Sequence, residues 1–186
     1  MQMLISDANI LIDLEDGELL KRFFELPYQF CVPDILFYEE LDEQHAHLID
    51  YGLKVLELTS ASMAEVTSLV EKYSDPSRND CFALMLAKQE NCSLLTGDRY
   101  LKKAANREGV MVSGTIWVIE NMVRCEIITI LEAESSYEKM KLAGSRLPWK
   151  LAKEGLGALK EDAALAGKVT PSKRDITILE SADRTS

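Results

Sequence analysis

Long hydrophobic runs are missing from this chain. The longest, Cys81 to Ala87, falls far short of the roughly 18–20 apolar residues that a membrane-spanning helix needs, so no membrane segment is expected. Glycine and proline are sparse, 9 and 5 among 186 residues, which with 47% hydrophobic and 28% charged residues excludes a disordered or fibrous chain. Cys-x-x-Cys spacing is absent: Cys31, Cys81, Cys92 and Cys125 sit inside apolar patterns, where a free thiol acts as a small hydrophobe. A reducing cytoplasm is the expected setting, and Met1 is followed at once by a strand pattern with no basic leader for export. Basic charge is also short. With 21 Lys and Arg against 31 Asp and Glu, the formal net charge is −10, which opposes the coating of nucleic acid by a basic surface.

Several chemistries lack their signatures. There is no Gly-x-Ser-x-Gly, no glycine-rich phosphate loop and no cysteine beside a plausible histidine, so nucleophilic catalysis is not expected. His45 and His47 form a His-x-His pair, but no third ligand stands at supporting spacing, and both are read as surface loop residues.

Alternating strand and helix patterns are present. Met3 to Ser6 reads as a strand and Ala8 to Leu14 as a helix, followed by a second helix over Asp16 to Leu26. Tyr28 to Val32 is a strand rich in aromatic and β-branched residues, and Ile35 to Leu41 a helix entered at Pro33-Asp34. Further strands are expected at Leu53 to Leu58, Ser93 to Thr96 and Val110 to Val112. Helices are expected at Ser60 to Tyr73, with Ser62 and Glu65 spaced as a capping box, and at Asp80 to Glu90, Asp98 to Arg107, Thr115 to Arg124 and Thr129 to Leu142. This order predicts an α/β fold with a parallel sheet covered on both faces, because parallel neighbours need crossovers. The character changes after Trp149. Residues 1–149 read as one domain and 150–186 as an extension, in which Leu151, Leu156, Leu159 and Leu165 stripe a helix that packs on the domain or on a second chain; Lys168 to Ser186 is polar.

Asp7, Asp80 and Asp98 each start an expected helix, and Asp7 and Asp98 follow the carboxyl ends of strands. In open parallel sheets that edge binds ligands. Each taken alone is explained by helix capping. Glu40 resists that explanation because it lies near the end of its helix, where the macrodipole disfavours an acid; its lean toward Leu36 and Phe37 favours it over Glu39, which stays open. Gathered carboxylates repel one another, and a hard cation such as Mg²⁺ or Mn²⁺ relieves that repulsion through oxygen ligands.

Four segments carry a resemblance: Leu4-Ile5-Ser6-Asp7-Ala8-Asn9, Val32-Pro33-Asp34 with Glu39-Glu40-Leu41, Asp80-Cys81-Phe82-Ala83, and Leu95-Thr96-Gly97-Asp98-Arg99. In that order and spacing the chain resembles a PIN domain of the VapC-like toxin type, from about Met3 to Trp149. The resemblance implies a three-layer α/β/α sandwich and metal-dependent endoribonuclease activity on RNA, as one half of a toxin and antitoxin pair. It also implies Asp7, Glu40, Asp80 and Asp98 as metal-site acids, with Asn9 and Thr96 as polar residues behind them. Arg99 is the candidate for substrate phosphate, and Lys102, Lys103 and Arg107 extend its basic helix. A homo-oligomer is expected. The competing reading is a PIN-fold binding or assembly module whose acids serve only as caps.

Overall fold

The structure, a computed structural model, describes residues 1–168, with side chains as far as residue 165. The polar stretch beyond residue 168 lies outside the described residues. Strand β1 (Gln2–Ser6) leads into α1 (Ala8–Asp16) and the short α2 (Leu20–Phe23). Strand β2 (Tyr28–Pro33) is followed by α3 (Asp34–Leu36), a π-helical turn (Phe37–Leu41), α4 (Asp42–His45) and α5 (Leu48–Tyr51). Next come β3 (Lys54–Leu56), α6 (Ser60–Lys72), α7 (Arg78–Gln89), β4 (Ser93–Leu95) and α8 (Arg99–Arg107). The order ends with β5 (Val112–Ser113), α9 (Thr115–Arg124), α10 (Ile130–Ala143) and α11 (Trp149–Lys168).

All strand pairings are parallel, and the order across the five-stranded sheet is β3-β2-β1-β4-β5. The chain builds outward from β1 through β2 to β3 and then returns to β1's other side with β4. The strand order therefore reverses between β1 and β4, and a crevice opens at their carboxyl ends. Helix α7 lies against β1, β2 and β4 and touches α3, α6 and α8, whereas α1 meets α9 and α10, and α11 covers α9 and α10. Two helical layers thus enclose the sheet in a three-layer α/β/α fold.

Helix α7 explains the one sizeable apolar run in the sequence. Cys81 through Ala87 are consecutive and all buried, as befits a helix packed between the sheet and other helices, not one with a single apolar face. Burial pushes the thiols of Cys31, Cys81 and Cys92 up to about 11, which keeps them unreactive; Cys125, expected inside an apolar pattern, is instead exposed where α9 ends.

Several boundaries differ from the sequence expectation for local reasons. The helix expected over Asp16 to Leu26 shrinks to α2, because Gly17 ends α1 and Glu18 turns left-handed with φ 56°. The capping box expected of Ser62 and Glu65 does not form; Thr59 is the cap, its hydroxyl accepting the Ser62 N–H at 3.2 Å. The helix expected to stop at Leu41 passes through its π turn and reaches His45. Gly144, at φ 101°, closes α10 in the left-handed conformation that glycine tolerates, and the chain turns back into α11. There Ala152, Leu156 and Leu159 are buried while Leu151 and Leu165 stay exposed, so the helical extension packs on the domain itself. Trp149 begins this packing with its ring edge-on to Tyr137 at 6.3 Å.

Candidate active site

Asp7 is the first residue beyond β1, and its N–H continues the sheet ladder by donating to the Leu95 carbonyl at 3.0 Å. Its extended backbone makes it the cap of α1: Oδ1 accepts the Ile10 N–H at 3.0 Å. The other oxygen accepts the hydroxyl of Thr96, which stands just past β4 on the far side of the crevice. The same Thr96 oxygen accepts the Asp98 N–H at 3.0 Å, and the Thr96 N–H donates to Ser113 at 2.9 Å. One buried hydroxyl therefore holds the two acids at adjacent strand ends in register.

Asp98 caps α8, its Oδ1 accepting the N–H groups of Tyr100 at 2.8 Å and Leu101 at 2.7 Å. Asp80 lies one turn inside α7 and completes a reciprocal cap with Ser77: Oδ2 accepts the Ser77 N–H at 2.8 Å while the Ser77 hydroxyl accepts the Asp80 N–H at 3.0 Å. Asp7 and Asp98 are thus helix caps as expected, whereas Asp80, expected to start its helix, is the return partner of the Ser77 cap; a second carboxylate oxygen on Asp80 and on Asp98 is left with no hydrogen bond among the described residues.

The electrostatics record their proximity. Asp7 is 1% exposed, and burial, opposed by the bonds from Thr96 and Ile10 and reinforced by the charges of Asp80 and Asp13, lifts its carboxyl from 3.8 to about 7. Asp80 is raised as well, by burial first and by the Asp98 charge, against its bonds to Ser77. A buried acid raised this far is held among like charges without a compensating cation among the described residues, the setting in which an oxygen-binding divalent ion is favoured. The donors are all oxygen, which suits Mg²⁺ or Mn²⁺ better than a thiolate- or imidazole-seeking metal.

Glu40 reaches this group indirectly. It sits in the π turn and is exposed, not turned to the apolar face as its spacing suggests, because the extra residue of the turn buries Phe37 and Leu41 and leaves Tyr38, Glu39 and Glu40 outside. Its Oε1 accepts the Asn79 amide at 2.6 Å, next to Asp80, whereas Glu39 faces Arg78 at 3.5 Å. Asn79 was invisible to sequence reasoning; its Oδ1 is buried and has no partner among the described residues. Asp13 was also missed. It is half-buried on α1, accepts the Thr115 hydroxyl at 2.8 Å and is raised chiefly by burial.

Asn9 is exposed on the first turn of α1. Arg99 is exposed beside Asp98, lies over the Tyr100 ring at 4.9 Å and donates to its hydroxyl at 3.0 Å. A cleft of about 610 Å³ opens next to Thr96, bounded by Gly97, Lys102, Trp117 and Arg146. Trp117 is half-buried and packs on Tyr28 at 5.8 Å. No three of the four acids bring their oxygens within 4.8 Å of one another; among the described residues the one trio that does so is Glu15, His45 and His47, the histidines read from sequence as loop residues without a third ligand.

The fold agrees with a family assignment. The family model described as PIN domain matches residues 3–161, and the chain belongs to that family, whose members are typically nucleases. The fold is similar to that of a PilT N-terminus domain protein from Sulfolobus solfataricus, at 14% identity and TM-score 0.42, covering 63% of this chain and 90% of that one. VapBC2 from Rickettsia felis, bound to a DNA fragment from its promoter, is similar at 16% identity and TM-score 0.42, covering 61% and 98%. No curated protein matches the chain. Among the described residues, no helix is long and apolar enough to cross a membrane.

Proposed function

We propose that this chain is a Mg²⁺- or Mn²⁺-dependent endoribonuclease that hydrolyses RNA phosphodiester bonds, and that it is the toxin of a toxin and antitoxin pair. The observation that carries the reading is the Thr96 hydroxyl joining buried Asp7 to the Asp98 backbone at the sheet's switch point, with Asp80 close enough to perturb Asp7. Asp7, Asp80, Asp98 and Glu40 would hold the cation, with Glu40 preferred to Glu39 for its contact with Asn79. Held there, the cation would supply the charge that activates water and stabilises the leaving oxygen.

The chain's own residues do the rest. Asp7 is held rigidly by its two hydrogen bonds, and Thr96 fixes the spacing between Asp7 and Asp98. Arg99, with Lys102 and Arg146 along the neighbouring cleft, supplies local positive charge for phosphates on a chain whose net charge is −10. Asn9, exposed on the first turn of α1, is the polar residue assigned to support the acids. Residues 1–149 form the nuclease unit and 150–186 an extension; an antitoxin, a second copy of the chain and a cytoplasmic setting complete the proposal.

RNA cleavage in Mg²⁺ and in Mn²⁺ tests it, with Asp7→Asn and Asp98→Asn beside the parent. Cleavage should fall by about two orders of magnitude or more in each variant, as for loss of a group that positions catalytic charge. Variants that cleave as fast as the parent would remove the site assignment. Calorimetric Mn²⁺ binding that does not depend on Asp80 would favour the binding-module reading instead.

A further inference from the structure

The structure assigns a second, chemically different metal site. We propose that Glu15, His45 and His47 bind a transition-metal ion of the zinc class and thereby tie the end of α1 to the segment that follows the π turn. Glu15, in the last turn of α1, is 30 and 32 positions from His45 and His47 at the junction of α4 and α5, yet the ligand atoms of all three lie within 4.8 Å of one another.

The geometry favours a cation over a plain ion pair. Glu15 presents a different oxygen to each ring: Oε2 is 2.8 Å from His45 Nδ1, and Oε1 is 3.6 Å from His47 Nε2, the second too long for a hydrogen bond. Two protonated imidazoles converging on one carboxylate would repel each other, whereas two neutral rings each offer a lone pair. Zinc ligands at about 2.1 Å in a tetrahedron stand about 3.4 Å apart, so modest side-chain adjustment closes the site, with water at the fourth position. Two imidazoles and a carboxylate select zinc-class ions, in contrast to the all-oxygen group at Asp7.

The surroundings suit a site with an entry path. The His45 side chain is only 13% exposed, while Glu15 and His47 are 39% and 38% exposed and open to solvent. Tyr51 packs edge-on against His47 at 5.4 Å and is itself backed by Phe24, which restricts the ring. Glu15 lies eight residues along α1 from Asp7, about 12 Å at the helical rise, so the two sites are separate. The proposal does not depend on the nuclease reading. Its structural consequence is that one ion would link the helix capped by Asp7 to the chain just beyond Glu39 and Glu40.

Co²⁺ and Zn²⁺ are the probes. The full chain, stripped of metal, should take up Co²⁺ with visible bands typical of tetrahedral nitrogen and oxygen ligation and no thiolate charge-transfer band, and one equivalent of Zn²⁺ should displace it. His45→Ala and the near-isosteric Glu15→Gln, each checked for native circular dichroism without metal, should bind Zn²⁺ at least about tenfold more weakly, the low end of losses seen even for residues that merely support a ligand. Asp80→Asn should leave the cobalt spectrum unchanged. Parent-like Zn²⁺ affinity in folded Glu15→Gln and His45→Ala, or loss of the bands in Asp80→Asn or Cys125→Ser, would overturn the assignment.

Discussion

Replacing Asp7 by Asn should make the protein more stable at pH 8 while lowering its proposed activity by about two orders of magnitude or more. Asp7 is buried and its carboxyl is lifted from 3.8 to about 7, chiefly by burial. Between those values the folded chain keeps a proton that the unfolded chain has lost. Stability therefore falls as pH rises through this window, is unpenalised below 3.8 and levels off above about 7. About three pH units at 1.36 kcal/mol each make the penalty about 4 kcal/mol. Asn removes the charge but keeps the cap, because its Oδ1 can still accept the Ile10 N–H and its amide can donate to Thr96, whose oxygen has a second lone pair. Urea unfolding in metal-free buffer should find Asp7→Asn more stable than the parent by about 2–4 kcal/mol at pH 8, shrinking to about 1 kcal/mol at pH 4.5. The difference between the two proteins cancels the groups that do not interact with Asp7 and reads Asp7 together with its coupling to Asp80 and Asp13. A variant less stable than the parent at pH 8, or a difference that does not change with pH, would refute the reasoning.

Thr96→Val keeps the side-chain shape but removes the donor to Asp7 and the acceptor for the Asp98 N–H; it should cost about 1–3 kcal/mol in urea unfolding and move Asp7's titration, followed by carboxyl-carbon NMR, above that of the parent. Glu108 joins Lys72, Lys88 and Tyr73, and its bonds to the two lysines draw it down to about 2, so its stabilisation is present above 4.5 and is lost as pH falls toward 2. Glu108→Gln should accordingly cost about 1–2 kcal/mol at pH 7 and much less at pH 3, measured by chemical denaturation. Leu156→Ala should destabilise the protein by about 2–4 kcal/mol and open α11 to limited proteolysis, whereas exposed Leu151→Ala should stay within about 0.5 kcal/mol.

Much of the architecture was legible because its signals are local. A run such as Met3 to Ser6 ending in a capping Asp7 specifies a strand feeding a helix through the residues themselves, and four repetitions of that pattern require parallel strands. Asp98 could be read in the same way. The errors arose where one residue changes a local conformation, as with left-handed Glu18 and the π turn that put Glu40 outside.

The amino-acid sequence by itself determined the α/β order, the caps at Asp7 and Asp98 and, through four short motifs, the kinship with PIN domains. Tertiary structure alone decided which side chains meet. Strand pairing between β1 and β4 sets Thr96 against Asp7, and the packing of α4 and α5 brings His45 and His47 to Glu15. Burial decided the charge state of Asp7, since the free energy of an ionised carboxylate depends on the solvent and charges around it, and those come from residues distant in the chain.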